Sequence, residues 1–221
     1  MLTRDWQQQS LEILADATGK NSLIAALAKR LPNHETPFNL VVPNSTCPLC
    51  NVGIKPWHNI PIVGYFLLKG RCANCRQTIS RRYPLVEATT AILTAVVIVI
   101  LGPNLHGLAG CFLLWSLVAL ALIDYDTQLL PDDITMPFLW VGLVINYFGV
   151  ITSFDNAFWG ACMGYMTLWT VFQLFKLITG KEGMGYGDFK MLAMLGAWLG
   201  VETVPLIIVL SSFAGAAIGG A

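Results

Sequence analysis

The chain has 221 residues, 55% hydrophobic and only 12% charged, with zero formal net charge and a mean hydropathy of +0.63. A soluble domain carries about 25% charged residues, so halving that share while enriching large apolar side chains excludes an ordinary soluble domain and points to membrane-embedded sequence. The balance of charge hides an asymmetry: ten of the thirteen Lys/Arg lie in residues 1–84 against four acidic residues, and beyond them only Lys176, Lys181 and Lys190 are cationic.

Met1 to Trp6 contains no apolar core of a secretory signal. Residues 5–31 place Leu11, Ile13, Leu14, Leu23, Ile24, Leu27 and Leu31 near helical spacing, with a break at Gly19-Lys20-Asn21. Residues 32–43 read as loop or extended chain.

Cys47-Pro48-Leu49-Cys50 and Cys72-Ala73-Asn74-Cys75 then form two CxxC knuckles separated by 21 residues. That resembles a four-cysteine zinc ribbon, in which both thiolates of each knuckle reach one tetrahedral ion. With all four positions filled, such a site is structural. Two disulfides or redox dithiols are the alternative. The Lys/Arg-rich surroundings argue for a reducing cytoplasmic location and hence for zinc. Cys111 and Cys162 sit alone in apolar stretches and read as core residues. His34, His58 and His106 share no ligand spacing.

From Tyr83-Pro84 onward the chain is apolar. Runs near 85–102, 107–123, 134–152, 156–178 and 203–221 read as membrane helices, with a shorter one at 189–200. The short run is a tilted span, a re-entrant segment, or a span that borrows residues from its neighbours. The basic segment is expected on the cytoplasmic side. Counting spans from there brings the carboxylate-bearing loops 124–133 and 179–190, and all three remaining lysines, to that same side. The run Ala214–Ala221 stops without a polar exit, which reads as C-terminal truncation.

Two acids stand out. Asp124 ends the apolar stretch Leu113–Ile123 with almost no polar spacer, and a charge there costs roughly 2.5–3.5 kcal/mol at a span's centre, less near its end. Asp188 follows Gly183-Met184-Gly185-Tyr186-Gly187, whose glycines permit close approach and leave room for an extended peptide. Each has a plainer reading, Asp124 as an interfacial acid and Asp188 as a helix N-cap after a hinge. Asp126, Asp132 and Asp133 read as solvated loop residues, with Asp132 or Asp133 alternatively capping the next helix. Two carboxylates about 4 Å apart repel by roughly 4 kcal/mol at an effective dielectric near 20. One then holds a proton while the other is ionised, which suits activation of water against a peptide carbonyl.

From about Asn39 onward the sequence resembles the type IV prepilin peptidases, which are prepilin leader peptidase/N-methyltransferases and GxGD-type aspartyl proteases. The residues that carry the resemblance are Leu40–Ser45, the two knuckles, Ile54-Lys55-Pro56-Trp57, Asn59-Ile60-Pro61 and Arg82–Glu87. They continue in Ile123–Asp126, Leu129–Asp132 and Lys181–Lys190. The resemblance implies that Asp124 and Asp188 are the catalytic pair, with Gly185 and Gly187 in the active-site loop. It implies cleavage of the leaders of type IV prepilins and type II secretion pseudopilins at the cytoplasmic face of the bacterial inner membrane. It also implies methylation of the new N-terminal residue with S-adenosylmethionine, for which no GxGxxG motif is present. The cysteine segment, Gly70 included, is a candidate contributor to that second step. The resemblance also implies truncation at both ends, with a first membrane helix expected before Met1 and further ones after Ala221.

The expected fold is therefore an all-α polytopic membrane protein, with a cytosolic segment at 1–84 holding the zinc site (47–75) and a protease domain at 85–221. A non-catalytic scaffold that docks a partner through the ribbon is the alternative from another class, and in it neither aspartate would matter. The scattered cations argue against a nucleic-acid partner.

Overall fold

The computed structural model describes residues 45–181 and 183–219. The helices expected over 5–31, the stretch 32–43 and His34 lie outside the described residues. The chain divides into two compact units, Met1–Glu87 and Ala88–Ala221. Among the described residues there is no strand, only seven α-helices and two 3-10 turns.

In the first unit each knuckle is a small hairpin. Thr46 pairs with Gly53 across the first and Arg71 with Thr78 across the second. Between them a 3-10 turn, Pro56–His58, precedes α1 (Val63–Leu67). Ile62, just ahead of α1, has φ 63° and ψ −53°, and the Val63 N–H donates to the Pro61 carbonyl at 2.6 Å. This is a γ-turn of the rarer, strained hand, placed on a β-branched residue. The Ile62 N–H donates to Glu87 Oε2 at 2.6 Å, which ties the turn to the start of the next helix.

That helix, α2 (Arg82–Leu101), has its first six residues in the first unit. α3 (Leu105–Thr127) starts on Asn104, whose side chain accepts the Gly107 N–H at 3.1 Å, and ends on Gln128 in the left-handed region. α5 (Phe154–Thr179) starts on Ser153 and ends on Gly180 at φ 68°. These three helices are long and apolar enough to cross a membrane, at about 30 Å or more with 1.5 Å per residue. The protein is a helical membrane protein. The remaining helices are α4 (Asp132–Tyr147), α6 (Tyr186–Leu199) and α7 (Val204–Gly219).

α4 is shorter than the run 134–152 suggests. After Tyr147 the chain turns through Gly149 at φ 67°, and apolar Val150 and Ile151 pack in a loop rather than a helix. α6 occupies the centre of the second unit, packed chiefly against α5 and α4. Its Phe189, Leu192, Ala193, Met194, Ala197 and Trp198 are buried. Gly160 of α5 and Gly196 of α6 meet backbone to backbone, and Gly164 lies against Leu192 and Ala193 in the same way, as small residues allow for helices in lipid. On its other side Trp198 packs against Gly142, and its indole N–H donates to the Phe138 carbonyl at 2.7 Å.

Buried Asn146 fastens the far end of α6. Its Nδ2 donates to the carbonyls of Ala197 (2.8 Å) and Trp198 (2.9 Å), while Oδ1 accepts the N–H groups of Ile151 and Thr152. A buried amide with all its capacity used fixes the α4–α5 loop and the end of α6 together.

Candidate active site and metal centre

Asp124 lies in the last turn of α3, because the helix runs four residues further than the apolar run. The Gln128 N–H and its Nε2 both donate to the Asp124 carbonyl, at 2.8 and 3.0 Å. The connection to α4 is therefore only residues 128–131. Asp188 is the third residue of α6 rather than its cap, which is Gly185. Its carboxylate lies beside the Gly185 backbone, whose N–H favours the charged form, so the acid reaches back toward the cap residue as in half of a capping box.

Asp188 stands outside the three candidate spans and is partly buried. Burial first, and then the charge of Asp124, raise its pKa above the ordinary carboxylate value of 3.8, against a lowering by the Gly185 N–H. The structure thus brings the two acids within electrostatic reach of each other, from different helices and 64 residues apart in sequence.

Of the loop glycines, Gly185 has open space beside it, where a Cβ would meet only Asp188 Oδ2 at 3.8 Å. The space at Gly187 is filled: a Cβ there would stand 2.8 Å from Leu130 Cβ. Asp132 and Asp133 occupy the first turn of α4 and do not cap it, since the cap is Pro131. Asp132 Oδ2 lies 2.6 Å from Lys190 Nζ. Sequence reasoning missed this pair. Lys190 being one of three cations after residue 84 was the available signal.

The four knuckle cysteines come together. Their sulfurs lie within 4.8 Å of one another, and those of Cys47 and Cys75 are 3.8 Å apart. A tetrahedral ion about 2.3 Å from each sulfur spaces them about 3.8 Å apart, so the cluster fits such an ion. The two hairpins are built alike. In the first, the Cys47 N–H donates to the Val52 carbonyl and the Asn51 N–H to the Cys47 carbonyl, with Asn51 at φ 54°. In the second, the Cys72 N–H donates to Gln77 and the Arg76 N–H to Cys72, with Arg76 at φ 59°. This folding turns backbone N–H groups onto the sulfurs. Those of Cys75 and Asn74 lower the Cys72 thiol to about 6, and that of Val52, then the Asn74 side chain, lower Cys50. Cys72 and Cys50 are thus held toward the thiolate, the form that ligates a metal, while Cys75, against a lowering by the Gln77 N–H, is pushed by burial and then by the neighbouring sulfurs up to about 11. None of the six cysteines forms a disulfide; Cys111 is buried and Cys162 partly so.

Gly70 takes φ 68° between α1 and the second knuckle, donating to the Tyr65 carbonyl, and its own carbonyl accepts the Ile79 N–H. A Cβ there would come within 2.9 Å of the Tyr65 hydroxyl. Tyr65, with Asn59, Asn74, Gln77 and Glu87, helps line a cleft of about 910 Å³ beside the knuckles.

The fold and these sites define a polytopic helical membrane protein with a four-thiol cluster and a pair of interacting helix-end acids. A model of the type IV leader peptidase family matches residues 111–220, and a model of the bacterial peptidase A24 N-terminal domain matches residues 18–101. The chain belongs to the type IV leader peptidase family. It is 48% identical over 219 residues to the prepilin leader peptidase/N-methyltransferase of Pseudomonas aeruginosa, covering 99% of this chain and 71% of that protein. Proteins of the same name match at 49% over 221 residues in Pseudomonas putida (99% and 71% covered) and at 46% over 219 in Aeromonas salmonicida (99% and 72% covered). No solved structure matches significantly.

Proposed function

We propose that the protein is an aspartic endopeptidase that removes the leader of type IV prepilins and type II secretion pseudopilins and then methylates the new N-terminal residue. The observation that carries the peptidase reading is the approach of Asp124 and Asp188, two acids at helix ends close enough for the Asp124 charge to act on Asp188, with the backbone beside Gly185 left bare. Asp188, pushed toward its protonated form, donates a hydrogen bond to the scissile carbonyl. Ionised Asp124 takes a proton from water as the oxygen attacks the carbonyl carbon. Collapse of the tetrahedral intermediate breaks the C–N bond, and the leaving amine takes up a proton. Gly185 provides the room for an extended substrate, while Gly187 lets the α3–α4 connection close against α6.

Cys47, Cys50, Cys72 and Cys75 would hold a zinc ion. Four thiolates leave it no open position, so it supplies structure to a segment whose described residues bury little apolar surface. S-adenosylmethionine supplies the methyl group when bound, and the cleft beside the knuckles is large enough for a small molecule. Gly70 does not line that cleft and bears on it through Tyr65 and the second knuckle. We divide the chain into a cytosolic segment at 1–84 and a membrane protease domain at 85–221. The concentration of Lys/Arg before residue 84 supports a cytoplasmic location for that segment and for both aspartates, in the bacterial inner membrane.

The test is cleavage of a prepilin by the detergent-solubilised protein and by its Asp124→Asn and Asp188→Asn forms. Both substitutions are expected to lower kcat by about 10³-fold or more, the scale of losing an essential acid or base. Cleavage near the wild-type rate by either form removes that residue from the mechanism. Transfer of labelled methyl from S-adenosylmethionine to the cleaved pilin tests the second activity.

A further inference from the structure

We propose that Lys190 is a positioning residue of the peptidase site: paired with Asp132, it latches the α3–α4 connection onto the first turns of α6 and so sets Asp124 against Asp188. This rests on the aspartate-pair reading and adds to it the device that holds the pair together.

The connection is short and fastened at both ends. It leaves α3 from Asp124's own turn, because Gln128 bonds twice to the Asp124 carbonyl. With the first residue of α4 it reaches α6 at two points, Leu130 against Gly187 and Asp132 on Lys190 at 2.6 Å. Residues 187 and 190 flank Asp188. Four residues of chain, 128–131, thus join the turn carrying Asp124 to Asp132, whose partner Lys190 stands two residues from Asp188.

Lys190 and Asp132 are both solvent-accessible, at 30% and 57%. Exposed ion pairs add little to stability, so the pair matters through position. Misplacing reacting groups by about 1 Å costs about 10²-fold in rate. The pairing also keeps the lysine's charge on Asp132, where it does not draw the proton off Asp188. Among the described residues, the charged groups on the elements packed about α6's first turns are Asp124 and Asp126 in the last turn of α3, Asp132 and Asp133 in the first turn of α4, Lys176 in the last turn of α5, Lys181 between α5 and α6, and Asp188 and Lys190 on α6.

The experiment measures kcat, KM and the pH–rate profile of prepilin cleavage for Lys190→Met, Asp132→Asn, the double exchange Lys190→Asp with Asp132→Lys, and Asp124→Asn. Each single change is expected to lower kcat about tenfold or more while KM stays within about twofold, as for loss of an interaction that aligns reacting groups. The alkaline limb moves up in pH for Lys190→Met, which leaves an uncompensated anion beside the pair. It moves down for Asp132→Asn, which frees the cation. The double exchange restores kcat to within about threefold, as for a pair whose coupling is lost singly. A merely structural role gives no opposed shifts. Unchanged kcat in the single variants, shifts in one direction only, or a double exchange that restores nothing each overturns the latch. Cleavage by Asp124→Asn removes the aspartate pair itself. An inactive Asp124→Asn beside indifferent Lys190 and Asp132 variants removes only the latch.

Discussion

Asp188 binds its proton more tightly in the folded protein than in an unfolded chain, because burial and the Asp124 charge both penalise its anion. The folded state therefore carries more bound proton, and stability falls as pH rises from the ordinary carboxylate range through the raised Asp188 pKa. Thermal unfolding of the detergent-solubilised protein across that range is expected to show the decline, and Asp188→Asn to abolish it. Asp124→Asn removes the second cause and moves the decline to lower pH. A slope indifferent to both substitutions would separate the two acids. The residue types and positions of this pair were legible in the sequence: an acid at the end of an apolar run and an acid behind closely spaced glycines. The partnership of Asp132 with Lys190 was not, since the two are 58 positions apart and only folding of the connection brings them together.

At the scale of elements, α6 is decided by its neighbours. Fourteen residues make a helix of about 21 Å, short for a bilayer core of about 30 Å. It is wrapped by α4 and α5 and carries the most buried side chains of its unit. The contact of Gly160 with Gly196 sets how closely α5 and α6 approach. Gly196→Leu forces them apart and is expected to destabilise the protein by several kcal/mol, above the usual 1–3 kcal/mol of overpacking because backbone is what it meets. Steric trapping or thermal unfolding in detergent measures it, and cleavage should fall with it, since α6 carries Asp188. Retained stability and activity would show that this contact is not what seats the helix. The apolar run at 189–200 marked α6 as a short membrane-embedded helix. Its burial depended on glycines in a different helix, which no local pattern reports.

At the scale of the whole molecule, the described part of the first unit, residues 45–87, is built around sulfur rather than an apolar core. Of its described side chains, Cys47 is the buried hydrophobic one, while Leu49, Trp57, Phe66 and Leu67 are exposed. A structural zinc site contributes on the order of 10–16 kcal/mol of apparent binding energy, ample to hold such a segment. Cys72→Ser, or removal of metal with a strong chelator, is expected to abolish stoichiometric zinc and to open residues 45–80 to proteolysis. The helical circular-dichroism signal of the second unit should remain. Protection that survives metal loss would mean that hydrogen bonds such as that of Ile62 with Glu87 suffice.

The sequence by itself determined the class of protein, its helical membrane character, the four thiols and the two acids. Each of these is written in residue type, spacing or hydropathy, and such signals act locally along the chain. Only the tertiary structure decided that α6 is an enclosed helix, that Leu130 fills the space at Gly187, and that Asp132 pairs with Lys190. It also decided that Asp124 lies close enough to raise Asp188. These are contacts between distant segments, and they depend on how helix surfaces interlock at backbone distance, which residue spacing along one chain does not encode.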